Sequence, residues 1–147
     1  MGELLTATHN FGVAPTRGTT AADTFKAALY LTTATINAST TAYSATGEVT
    51  GTGYTAGGVT VTNATAPAST NSSATAGVAY WTPSASFVYT TVTLSTAFDT
   101  VLLYNSSQSN KAVSVHTFGS QTITAGTFTL TMPSNTTTTA LLRLSTT

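Results

Sequence analysis

Residues 122–132 read TITAGTFTLTM. Phe128, Leu130 and Met132 fall on one side of this run, and Thr127, Thr129 and Thr131 on the other. A repeat of two is the mark of a half-buried β-strand, because successive side chains of a strand point to opposite faces. Working outward, residues 87–94 give a second strand: Val88, Val92 and Leu94 share one face, while Phe87 and Tyr89 start the other. Val101 to Tyr104 is a short apolar run, as expected of a central strand covered on both sides. Val113 and Val115 alternate with Ser114 and His116. Phe25, Ala27, Leu29 and Leu31 are in phase, and residues 59–62 and 141–144 complete the set.

Turn chemistry separates these runs. Gly57-Gly58 precedes one strand, Ala125-Gly126 interrupts another, and Pro133-Ser134-Asn135 ends it. The polar segment from Asn105 to Asn110 joins two strong strands as a hairpin. Residues 64–77 are small and polar, contain Pro67, and read as a surface loop. No segment has the pattern of a capped amphipathic helix. Of 147 residues 38 are Thr, a β-branched type stiff at χ1 and favoured in strands. Seven or eight short strands at this spacing predict an all-β fold: a single antiparallel β-sandwich, jelly-roll or Ig-like, over residues 21–147. Residues 1–20 scatter Leu4, Leu5, Phe11 and Val13 among glycines and a proline, and read as an extended N-terminal arm.

Composition narrows the function. Charged residues are 5% of the chain, against roughly 25% in an ordinary domain, and the net charge is zero. Arg17, Lys26, Lys111 and Arg143 are too few and too scattered to neutralise phosphates, so no nucleic-acid partner is expected. No apolar run of about 18 residues marks a membrane-spanning helix, so no membrane partner is expected. The N-terminus lacks a basic segment followed by an apolar one, so no signal peptide is expected. There is no Cys, so disulfides and thiolate metal sites do not arise.

Few side chains can carry chemistry. The carboxylates are Glu3, Asp23, Glu48 and Asp99, and the histidines are His9 and His116. A Ser–His116–Asp99 triad can be drawn, but no nucleophile elbow accompanies it, and a strand-face His116 is the favoured reading. No metal pattern and no cofactor motif is present. Gly51, Gly53, Tyr54, Gly57 and Gly58 resemble a phosphate loop only superficially. A strand-like segment follows where a helix is needed, so these residues read as a structural turn motif. Tyr80, Trp81 and Tyr89 are candidate aromatics for stacking on sugars, with burial in the core the stronger reading. A Thr-row ice-binding face would need stacked repeats, and the three Thr-x-Thr segments near 60, 91 and 122 have unlike flanks.

The segment GEVTGTGYTAGG, residues 47–58, is similar to one in a family of small virion structural proteins of tailed bacteriophages. Residues 25–30 (FKAALY) resemble the family's early strand, and Trp81 its single Trp. Leu103-Tyr104-Asn105 resembles its central strand, and residues 118–121, 125–128 and Pro133 its closing strands. The likeness covers roughly residues 24–133. It departs before Trp81, where Gly77-Val78-Ala79-Tyr80 replaces acidic residues, and after Pro133, where a Thr run stands. The resemblance implies a virion structural protein, and the lack of paired carboxylates or a metal constellation argues against an enzyme. The leading expectation is a capsid decoration, or cement, protein whose partners are the major capsid protein and other copies of itself. Leu4, Leu5, Phe11 and Val13 would then anchor the arm on the shell. A tail fibre, tip or collar protein is the alternative.

Overall fold

A computed structural model describes residues 23–64, 66–70 and 77–145. The fold is all-β and sandwich-like in having two antiparallel sheets, with no helix among the described residues. The strands are β1 (Phe25–Leu31), β2 (Val59–Thr60), β3 (Ala68–Ser69), β4 (Val78–Trp81), β5 (Phe87–Asn105), β6 (Lys111–Leu130) and β7 (Leu142–Ser145). One sheet has the order β2-β1-β5-β6 and the other β3-β4-β7. The chain from 21 to 147, expected as one domain, divides into two compact units. The first holds Asp23–Val61 and Phe87–Leu130, the second Thr62–Ser86 and the described part of Thr131–Thr147. The N-terminal arm, with Leu4, Leu5, Phe11 and Val13, lies outside the described residues.

The first unit is built on its four-stranded sheet. β1 is mostly apolar and buried apart from Lys26 and Leu31, and β5 is buried from Thr100 through Asn105 without a break. One face packs Ala28, Tyr30, Leu102, Tyr104 and Ala112, with Ile36, Tyr43 and Val115 partly buried against them. Further along β5 and β6 an aromatic cluster forms, in which Phe98 meets Phe128 edge-on at 5.0 Å and Phe118 lies 5.4 Å from Phe128. Such edge and tilted contacts set the positive rim of one ring against the negative face of another.

β5 and β6 form one long hairpin closed by residues 106–110, and several bulges reset its phase. Tyr89 pairs with Phe128 and Val92 with Gly126, so three steps along β5 match two along β6. The extra residue sits beside Thr91, whose φ is 52°. Phe87, Tyr89, Val92 and Leu94 are therefore all buried, and Val88 is 41% exposed. The expected grouping of Val88 with Val92 and Leu94 is corrected: strict alternation fails where a bulge adds a residue. A second bulge places one step of β5 (Leu103 to Tyr104) against two of β6 (Ser114 to Ala112). Val113 and Ala112 are consequently both buried, while Val115 is only partly so. On the first expected strand the alternation holds: Phe128 is buried and Thr127 and Thr129 are exposed.

The second unit is smaller. β4 pairs with β3 on one side and with β7 on the other, joining residues 78–81 to 142–145. Trp81 is buried at its centre and donates its Nε1–H to Asn63 Oδ1 at 3.1 Å. The buried Thr82 hydroxyl accepts the Leu141 N–H at 2.9 Å.

Candidate functional site

The most unusual polar feature among the described residues is Glu48, a carboxylate only 6% exposed in a chain with very few charges. Its place is set by the loop that follows β1. The chain turns back so that Glu48 bridges to Tyr30, with Leu31 N–H bonded to Gly47 O and Val49 N–H to Leu29 O. The reversal requires Gly47, whose φ is +79° and where a Cβ would meet that of Ala34 at 2.7 Å.

Three donors converge on the carboxylate. Tyr54 OH and the Gly57 N–H both donate to Oε1 at 2.7 Å, and Tyr43 OH donates to Oε2 at 2.7 Å. Tyr54 OH accepts the Leu29 N–H in turn at 3.0 Å. Tyr104 OH donates to Gly57 O at 2.9 Å, and its ring stacks on Tyr43 at 4.7 Å. Tyr30 OH donates to Ser44 O and Tyr89 OH to Ala27 O. Five of the six tyrosines thus tie one loop system to the sheet. Short bonds to an ionised group are stronger than neutral ones, and they compensate the cost of burying the charge.

The glycine-rich segment is what brings the Gly57 N–H to the carboxylate. Gly58 has a φ of +74°, and a Cβ there would lie 1.8 Å from Ala27 O. At Gly51 a Cβ would lie 2.0 Å from Thr93 O, across the contact where Thr52 bridges to Thr93. Gly51, Gly53, Tyr54, Gly57 and Gly58 therefore form a turn system pressed against β1 and β5, and it holds a carboxylate of the chain itself.

Burial raises the phenols, and the neighbouring Glu48 carboxylate adds to the effect. Tyr30 and Tyr104 are each pushed up to about 12, and Tyr43, Tyr54 and Tyr89 are raised further. Glu48 is enclosed and already accepts three bonds, so the arrangement holds structure together and leaves no approach for a substrate.

The other candidates are dispersed. Ser114 Oγ and His116 Nε2 are 2.8 Å apart on one face of β6, and burial lowers the His116 pKa. Asp99 accepts instead from the Thr100 hydroxyl at 2.8 Å, so the drawn triad is not assembled. Among the described residues no three His, Asp or Glu side chains gather as a metal site needs. Trp81 and Tyr89 are buried, each with its polar atom bonded inward, so neither presents a ring for stacking, and Tyr80 is half-buried. The loop after β1 carries an open groove of about 620 Å³ lined by uncharged residues, among them Thr33, Thr35, Ile36, Asn37 and Thr41.

The sequence marked Glu48 only as one of four carboxylates. A usable signal was present: a lone Glu between Gly47 and an apolar Val49, with Tyr43 before it and Tyr54 after it. No family model, curated protein or solved structure matches this chain.

Proposed function

We propose that this chain is a structural protein of a tailed-phage virion, and within the virion a capsid decoration protein. Its partners are then the major capsid protein and other copies of itself. The observation that carries this reading is the likeness of residues 47–58 to the phage family. In the folded chain that segment supplies Glu48, Tyr54 and the Gly57 N–H, the groups on which the first unit closes.

The surface supports the same reading. Exposed Thr, Ser and Asn side chains offer hydrogen bonds at a lower desolvation cost than charges. Many weak contacts on a lattice add up through avidity. Ser114 and His116 pair with each other, and among the described residues Asp99 is engaged by Thr100 and not by His116. Immunogold labelling of intact virions tests the proposal. Label over the heads is expected. Label confined to the tail would replace it with a fibre, tip or collar protein.

A further inference from the structure

We propose that the loop after β1 is a binding site for a neutral saccharide. The site is the open groove that the loop forms between Thr33 and Gly47, and its ligand is a short stretch of uncharged sugar. This concerns the isolated chain and does not rest on the capsid reading.

The groove holds about 620 Å³, within the range of roughly 300–1,000 Å³ usual for small-molecule sites. Its walls are fixed by the fold itself. Ala34 N–H bonds to Leu31 O, Leu31 N–H to Gly47 O, and Tyr43 N–H to Asn110 O. The buried Tyr30 donates its OH to Ser44 O at 2.6 Å. Ala34 and Ile36, which line the groove, rest on the cluster of Ala28, Tyr30, Leu102, Tyr104 and Ala112. A wall formed in advance spares a ligand the cost of ordering a loop.

The polar groups on these walls are already committed on one side. Asn37 Oδ1 accepts the Ser39 N–H at 2.8 Å, which leaves the Nδ2 hydrogens to donate, and they meet no acceptor among the described residues. Thr40 Oγ1 accepts the Asn37 N–H at 3.0 Å and Ser44 Oγ the Thr46 N–H at 3.2 Å, so each hydroxyl keeps its own proton for an acceptor. Thr33, Thr35 and Thr41 add exposed hydroxyls with no partner among the described residues. A sugar matches this set. Its oxygens accept from the fixed donors, its O–H groups donate to the Thr oxygens, and its C–H faces cover Ala34 and Ile36. An aliphatic ligand would cover the Asn37 and Thr40 donors without satisfying them, which costs free energy.

NMR titration of the isotope-labelled full chain tests this, with maltotriose, cellotriose and tri-N-acetylchitotriose each taken to about 20 mM and sialyllactose as the charged counterpart. The three neutral probes cover α-linked, β-linked and N-acetylated sugars. At least one should bind with a Kd between about 0.1 and 5 mM, with amide shifts concentrated in residues 33–47. Asn37→Asp keeps the oxygen that the Ser39 N–H needs, and with it the turn, but replaces the donating amide by a charge. It should weaken binding at least about tenfold in Kd. Thr35→Ala with Thr41→Ala removes two hydroxyls that bond to no described residue and should weaken binding about threefold or more. Thr127→Ala with Thr129→Ala, at exposed positions of β6, should leave it unchanged. An unaltered near-UV tyrosine signal shows that each variant is folded. Silence from all three neutral sugars overturns the proposal. So do shifts centred outside residues 33–47, affinity indifferent to both groove variants, or binding of sialyllactose alone.

Discussion

Glu48 is a buried carboxylate on which three donors of the first unit converge. Replacing it with Gln keeps the shape but turns one acceptor into a donor facing Tyr or Gly57 donors. Glu48→Gln should cost about 2–4 kcal/mol, read as a lower urea midpoint at unchanged slope. Tyr54→Phe removes one donor to the carboxylate and leaves the Leu29 N–H without its acceptor, for about 1–3 kcal/mol. Alkali attacks the same network. The folded state holds Tyr30 and Tyr104 neutral up to about 12, whereas an unfolded phenol ionises near 10. Their contribution is full below pH 10 and is lost as pH rises from there towards 12. Absorbance at 295 nm should therefore show phenolate from these residues rising together with loss of the far-UV β signal, not before it. Glycine positions differ sharply as well. Gly58→Ala drives a Cβ into the Ala27 carbonyl and should cost more than about 3 kcal/mol in urea denaturation. Gly119→Ala meets nothing within 4 Å and should stay within about 0.5 kcal/mol.

The long hairpin shows what a strand pattern conveys and where it stops. Its strands, its turn at residues 106–110 and the outward row of Thr127 and Thr129 are legible because period and turn chemistry are local. The bulge at Thr91 is not. Thr90-Thr91 reads as ordinary strand sequence, and its positive φ follows from pairing with β6 and contact with the Gly53 turn. Deleting Thr91 removes the extra residue and leaves Tyr89 and Val92 two apart, so that plain alternation keeps Phe87, Tyr89, Val92 and Leu94 on one face. The expected result is a retained near-UV tyrosine signal and a small change in Tm, because only the contact of Thr91 with the Gly53 turn is lost. The turn itself carries strain at Ser109, which has a φ of 53°. Ser109→Gly relieves it and should stabilise the chain by about 0.5–1 kcal/mol in the same denaturation assay.

For the chain as a whole, connectivity decides how the two units depend on each other. The second unit is made of residues 62–86 and 131–145, and the hairpin lies between them in sequence. Pairing of Phe87 with Leu130 brings those two segments together, and Met132 N–H bonds to Ser86 Oγ. Melting the hairpin therefore opens a long loop that the second unit must close unaided. Trp81 reports on the second unit, and Tyr30, Tyr43, Tyr54, Tyr89 and Tyr104 report on the first. In Glu48→Gln the tryptophan and tyrosine midpoints should fall together. In Thr82→Val, which removes the acceptor for Leu141 N–H, only the tryptophan midpoint should fall.

Much was settled along the chain before it folded: an all-β class, the positions of most strands, the hairpin and the uncharged character of its second strand beyond Lys111. These follow from side-chain period, turn residues and composition, all of which act over a few neighbours. The burial of Glu48 was decided by folding, because its donors come from residues 43, 54 and 57 on separate turns. The buried face of β5 was decided by folding too, because bulges shift its phase. So was the division into two units, because β4 meets β7 across some sixty residues of intervening chain. A carboxylate, a phase and a closure that depend on distant partners have no local signature, which is why geometry had to supply them.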